Sequence, residues 1–276
     1  MTELIGPELK QQMRRLKLGR LLDTLPERLV LARQQKMPHQ DFLLLVLADE
    51  VQRRDGAAAI VRASKAHLDP EMQLESWDET TKVTFDRALL NELVSLRFVQ
   101  THHHVDIIGP VGVGKTFLAH ALGHIACRRG FSVLALKHDR MLKALKHSRL
   151  DNSYEVELRK LLSVDLLIID DFCPDPLDAT EGRDTFEVLT ERHRAGSIIA
   201  TSNRSPDEWL ATFSDPIRAQ AAIDRFHNNA YDLVIEGESY RKRLKPTLAS
   251  SRQPAVAATP SPSTAPRKRL AKKTRG

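Results

Sequence analysis

The 276-residue chain carries 42 Lys and Arg against 36 Asp and Glu, a net charge of +6, with 41% hydrophobic and 28% charged residues. This is the balance of a globular chain with one main domain plus a smaller unit or tails, and no apolar run approaches the ~18 residues that span a bilayer, which excludes a membrane-spanning helix. Two cysteines, Cys127 and Cys173, are too few for a disulfide framework or a four-ligand zinc site.

At the start, MTELIGPELKQQMRR has no apolar segment ahead of a cleavage site, so no secretory signal is read and a cytoplasmic location is expected. Residues 8–66 read as helical, with Leu9, Met13, Leu16, Arg20 and Leu21 on one stripe and breaks at Pro26 and Pro38. His39-Gln40-Asp41 is a helix start, and the apolar run Phe42–Ala48, flanked by Asp41, Asp49 and Glu50, is expected to be a buried helix segment. Residues 1–70 are therefore expected to be a small helical domain for DNA or a partner. Polar, irregular residues 71–82 make a linker. From residue 83 to 245, short apolar strands (VDIIG, FSVLAL, VDLLIID, SIIATS, YDLVIEG) alternate with helical segments, the pattern of an α/β domain with a parallel sheet covered by helices on both faces. Residues 246–276 are rich in Pro, Ala, Ser and Thr and carry Arg252, Arg267, Lys268, Arg269, Lys272, Lys273 and Arg275 with no acid, so a disordered basic tail is expected. The first 40 residues also carry a basic excess, and basic runs at both ends favour a polyanion partner over a merely solvated surface.

The chemistry is concentrated in four places. Gly109-Pro110-Val111-Gly112-Val113-Gly114-Lys115-Thr116 follows an apolar strand and opens a helix, and it matches the phosphate-binding loop GxxxxGK[ST]. Gly112 and Gly114 let backbone amides converge on phosphate at the positive end of the helix, Lys115 supplies a point charge for the β- and γ-phosphates, and the Thr116 hydroxyl is a ligand for Mg²⁺. Fifty-five residues beyond Lys115, the strand LLIIDD ends in Asp170, suited to the Mg²⁺ shell, and Asp171, suited to orient or deprotonate water. By itself such a pair is more often a helix N-cap; with the phosphate loop it reads as catalytic. Asn203 ends SIIATSN, where an amide can position water against the γ-phosphate. Arg225 in AAIDRF and Arg241 in GESYRKR are candidates to neutralise transition-state charge.

Two further features carry weaker signals. His102-His103-His104 reads as a solvated loop entering a strand rather than a metal site, because three adjacent residues of an extended chain cannot all face one ion. In residues 137–160, Met141, Leu142 and Leu145 can pack while Lys137, Arg140, Lys143, Lys146 and Arg149 make a positive face, for solvent or for a phosphate backbone.

GPVGVGKTFLAHALG, LLIIDDF and the block from FEVLTERHR through SNR, EW, DP and DR to GESYRKR resemble the IstB family of insertion-sequence transposition ATPases, within the AAA+ class that also holds the DnaC helicase loaders. The first two motifs mark only the broad ATPase class; the third is what resembles IstB. The resemblance implies that Lys115 and Thr116 are Walker A residues, Asp170 and Asp171 the Walker B pair, Asn203 the first sensor, Arg225 an arginine finger acting on a neighbouring subunit, and Arg241 the second sensor. It further implies an ATP- and Mg²⁺-dependent homo-oligomer on duplex DNA that stimulates a cognate transposase, IstA. A DnaC-like replicative helicase loader shares every catalytic residue and differs only in its partner. A small-molecule kinase predicts an acceptor pocket and a lid instead of basic ends and a sensor series, and a non-catalytic DNA-binding module would not need the full set of ATPase positions. The chain departs from the family pattern at Val111, Val113 and Phe117, which bear no phosphate, and at Cys173, where a glycine is common.

Overall fold

The computed structural model describes residues 5–78, 80 and 82–240; Arg241 and the basic tail 246–276 lie outside the described residues. The first segment is helical, as its periodicity predicts: α1 (Pro7–Arg15), a 3₁₀ turn at Gly19–Asp23, α2 (Leu25–Gln34) and α3 (His39–Lys65). Its prolines start helices rather than merely interrupting them. Pro26 sits in the first turn of α2, and Pro38 is the residue just before α3.

Ile5, Met13, Leu21, Leu25 and Val46 form a small separate core. The single stripe through Leu16 does not persist, because α1 ends at Arg15 and Lys17 turns into the left-handed region at φ 58°. Nor is the run Phe42–Ala48 buried as expected. Val46 is enclosed and Phe42 packs on the small core, but Leu43, Leu44 and Leu47 are exposed. Two short partner elements cover one face of α3 only, whatever the apolarity of the other face.

The far end of α3 meets the main domain. Ala63, Ala66 and Leu68 belong to the core of the sheet, the Arg62 guanidinium donates to Cys127 O at 2.8 Å, and Ala135 N donates to Ala66 O at 2.8 Å. Past a short strand, β1 (Val83–Thr84), come α4 (Arg87–Val94) and α5 (Arg97–Gln100). A five-stranded parallel sheet follows from β2 (His104–Ile108), β3 (Val133–Lys137), β4 (Leu166–Asp170), β5 (Ser197–Ser202) and β6 (Ala230–Val234), in the spatial order β3-β4-β5-β2-β6. The crossovers are α6 (Lys115–Arg128), α7 (His138–Ser148), α8 (Tyr154–Leu162), α9 (Ala179–Arg192), α10 (Pro206–Leu210) and α11 (Pro216–His227), and β7 (Glu236–Gly237) closes a hairpin with β1.

Along β4, Leu166 and Ile168 pack toward α6 and the end of α3, while Leu167 and Ile169 pack toward α7, α8, α9 and α11. A strand buried on both faces needs the uninterrupted apolar run that its sequence shows. All the parallel strands present their carboxyl ends at one edge, and the β5 end lies between those of β4 and β2. Among the described residues no helix is long and apolar enough to cross a membrane.

Two buried histidines brace this core in the neutral form. His104 Nδ1 accepts from Ile198 N and its ring stacks on Phe226 at 4.8 Å, whereas His138 Nδ1 accepts from Cys173 N and its Nε2 donates to Thr185. Burial pushes His104 down to about 3 and His138 down to about 4, from 6.5. Below pH 6.5 the unfolded chain takes up protons that the folded chain refuses, so stability is full above that pH and falls as pH drops toward 4, by up to ~1.4 kcal/mol per pH unit per histidine. Urea unfolding at a series of pH values should show this slope, and His138→Gln should flatten it while lowering stability at pH 7.

Candidate functional site

Residues Gly109–Thr116 join the end of β2 to the start of α6, where the first amides of a helix and its dipole favour an anion. Two glycines make the loop geometry. Gly112 (φ 85°) and Gly114 (φ 103°) are left-handed, and a Cβ on them would stand 2.2 Å from Ser239 Oγ and 2.8 Å from the Trp77 ring. Val113 is buried in the core and anchors the loop, while Val111 is exposed. Lys115 is 93% enclosed, and its Nζ donates to Gly109 O at 2.7 Å and Pro110 O at 2.8 Å, so the cation is held across the loop's own mouth.

One turn into α6, the Thr116 hydroxyl donates to Asp170 Oδ1 at 2.7 Å. Asp170 ends β4 and is 5% exposed. The same oxygen accepts from the Thr201 hydroxyl at 2.6 Å, and the Thr201 oxygen in turn accepts from Asp171 N at 3.1 Å. Thr201 can do this because β5 separates β4 from β2. Asp171 lies just beyond the strand in a left-handed turn (φ 51°), and its Oδ2 accepts from Lys137 Nζ at 2.6 Å. Asn203 is exposed one residue past the end of β5; the side chain that reaches the carboxylates from this strand is Thr201.

Cys173 accounts for the glycine common at its position. It is also left-handed (φ 46°), a strain offset where its N–H donates to His138 and its thiol is enclosed; burial pushes that thiol up to about 12, which leaves it inert as a nucleophile.

Segments distant in sequence close over the phosphate loop. In residues 71–82, read as a linker, Trp77 packs edge-on against Phe117 at 5.3 Å and Phe85 at 5.9 Å. From the other side Tyr240 N donates to Gly112 O at 2.8 Å, and Ser239 touches Gly112. Gly237 (φ 137°) admits the backbone of Lys82 and Val83, where a Cβ would stand 2.3 Å from Lys82 O. The GESY stretch is thus a clasp on the loop's outer side. None of Thr201, Lys137, Trp77 and Ser239 carries a site role in the sequence reading, although Thr201 lies in SIIATSN, Ser239 in GESYRKR and Lys137 on the basic face of residues 137–160.

Arg225 is exposed near the end of α11. That end leads into β6 at the amino edge of the sheet, where Ala230 pairs with His104, five residues of strand away from the phosphate loop. Burial, with the charges of Arg194 and Arg225, holds His193 below its ordinary value. Arg225 is therefore not brought to the phosphate loop of its own chain, and Arg241 lies outside the described residues.

Of the three histidines, His102 is exposed and His103 half-buried, but His104 is fully buried in β2, a correction to the solvated reading. On the basic segment, Met141, Leu142 and Leu145 are buried as expected. Its cations are largely engaged: Lys137 with Asp171, Lys143 with Asp139, Lys146 with Asp178, and Arg149 with Asp184.

With this geometry established, the comparisons with known proteins agree. The family model of IstB-like ATP binding proteins matches residues 11–247. A Mycobacterium tuberculosis protein named for ATP binding in an insertion sequence, Rv3427c, is 35% identical over 249 residues, covering 90% of this chain and 99% of its own. The ATP-binding protein named for insertion sequence IS21 of Pseudomonas aeruginosa is 34% identical over 238 residues, covering 86% and 90%. Among solved structures, DnaI aligns with a TM-score of 0.52 at 21% identity, over 61% of this chain and 95% of its own. AMPPCP-bound DnaA from Aquifex aeolicus gives 0.50 at 23%, over 60% and 51%. These structural likenesses show the AAA+ P-loop fold. A phosphate loop, a carboxylate-bearing β4 and a family match over most of its length lead to one conclusion: the chain belongs to the IstB-like ATP-binding family of insertion sequences.

Proposed function

We propose that the chain is an ATPase that assembles with ATP on duplex DNA and stimulates the transposase of its own insertion sequence. The observation that carries the catalytic part is the meeting of Thr116 and Asp170 at 2.7 Å beneath the phosphate loop. Two hard oxygens converge there from separate elements, one a carboxylate, and this donor set fits Mg²⁺. When bound, the ion supplies charge neutralisation at the phosphates.

The chain's own residues do the rest. Backbone amides of residues 112–116 and Lys115 hold the triphosphate, with Lys115 exchanging its loop carbonyls for phosphate oxygens. Thr201 is a positioning residue: it orients Asp170 and the amide of Asp171 together. Asp171 takes the proton of the attacking water, and for this its carboxylate must leave Lys137. Asn203, exposed at the same edge, sets the water, and Arg241 keeps the second-sensor role that the family resemblance implies. The placement of Arg225 at the opposite edge supports a finger offered to a neighbour's triphosphate, and so an oligomer. Names of the relatives, all from insertion sequences, favour a transposase over a helicase as partner. Basic residues at both chain ends supply charge for the DNA backbone.

ATP turnover per chain should rise with protein concentration and with duplex DNA. Lys115→Ala should lose ATP binding, and Arg225→Ala should keep binding but lose turnover by about 10³-fold or more. Mixing the two variants should restore activity, since one retains the finger and the other the phosphate loop. A rate independent of concentration and untouched by Arg225→Ala would contradict the reading. Thr201→Val removes one of the two hydroxyls that donate to Asp170 and the acceptor of Asp171 N, so it should cost ~1–3 kcal/mol in urea unfolding and slow turnover, with Thr201→Ser close to the wild type in both assays.

A further inference from the structure

On the sheet face opposite α6, Asp106 of β2 and Asp232 of β6 lie in direct register. Val105 and Ile107 point into the α6 core, so Asp106 points the other way, on the side where His104 stacks on Phe226 of α11. His227, the last residue of α11, reaches both carboxylates. Its Nδ1 lies 3.3 Å from Asp106 Oδ2 and 3.5 Å from Asp232 Oδ1, and one ligand atom from each of the three residues lies within 4.8 Å of the others. Asp106 is 0% exposed, and its second oxygen, Oδ1, is buried without a hydrogen-bond partner. An acid in the middle of a central strand, with half its carboxylate unsatisfied, needs a physical reason.

A protonated imidazole between two carboxylates is one reason, but such charge-assisted bonds close to about 2.7–2.9 Å. Both observed separations are longer. They match instead the edge of a tetrahedron of donors around one ion, which for bonds of ~2.0–2.1 Å is about 3.3–3.4 Å. We propose that Asp106, His227 and Asp232 form a site for a zinc-class divalent cation that fastens the end of α11 to β2 and β6.

The donor chemistry separates this site from the Thr116–Asp170 pair. Imidazole is a ligand for zinc and its neighbours, whereas Mg²⁺ prefers oxygen donors alone. His227 and Asp232 side chains are 40% and 47% exposed, which gives the ion an entry path and leaves water for the remaining position. A cation also offsets the cost of enclosing the Asp106 carboxylate, which is fully buried with Oδ1 unpartnered. Arg225 lies two residues before His227, so occupancy would hold the turn that carries it; the site itself does not depend on the ATPase reading.

The test uses the full chain, stripped of metal and then titrated with Zn²⁺ against a chromogenic chelator, with thermal unfolding followed with and without Zn²⁺. The wild type should take up about one equivalent and unfold at a higher temperature when loaded. Asp232→Asn and His227→Gln change partly exposed residues and should each weaken uptake roughly tenfold or more, Asp232→Asn without lowering the metal-free unfolding temperature. Asp106→Asn, of equal size, should abolish uptake, and Asp170→Asn should retain it. Wild-type uptake by Asp232→Asn and His227→Gln, or no uptake by the wild type, would overturn the proposal.

Discussion

One carboxylate oxygen, Asp170 Oδ1, organises the functional edge of this protein. It is buried at the end of β4 and receives two hydroxyls, Thr116 at 2.7 Å and Thr201 at 2.6 Å. Hydrogen bonds to an ionised acceptor contribute about 1.5–3 kcal/mol each, and breaking one inside the protein leaves a costly unpaired group. These two bonds tie the start of α6, the end of β4 and the end of β5 to a single atom. The phosphate loop therefore rests on the sheet at both ends: on β2 by covalent connection, and on β4 and β5 through Thr116. That rigidity allows a loop with glycines at φ 85° and 103° to keep one shape.

Around this point the chain encloses the loop with parts far apart in sequence. Trp77 comes from ahead of the sheet and Ser239 and Tyr240 from behind it, and the β1–β7 pairing brings the two segments side by side. Gly237 is required where they cross, because any side chain there would strike the Lys82 carbonyl. The GESY end of the stretch most like the IstB family is thus a clasp in contact with the phosphate loop. Family resemblance and geometry point to the same place for a physical reason.

What the sequence revealed and what it hid follow from the range of each interaction. Strands β2 to β6 were legible because burial on both faces demands short apolar runs, and the phosphate loop was legible because its residues act at fixed local spacing. Asp170 was legible as the charged end of such a run. Thr201 and Lys137 were not, since their roles depend on β5 and β3 flanking β4, an order that no local pattern encodes. Trp77 was hidden in a polar stretch, and the aromatic rings that it meets, Phe85 and Phe117, lie beyond that stretch. The run Phe42–Ala48 misled for the opposite reason: its apolarity is local, but burial depends on how much surface α1 and α2 can offer. Cys173 shows that an unexpected residue need not mean an altered backbone, since it adopts the left-handed turn that glycine would supply.

The central claim, that MgATP binds on the loop between Trp77 and Asp170, has a reporter built into the chain. The protein has two tryptophans; Trp209 is fully buried beside Phe172 and Phe226, while Trp77 lies against Gly114 and Phe117. Titration with MgATP should therefore give a saturable change in tryptophan emission that Trp77→Phe and Lys115→Ala abolish. Full saturable binding by Lys115→Ala, or a wild-type signal that persists in Trp77→Phe, would contradict the account.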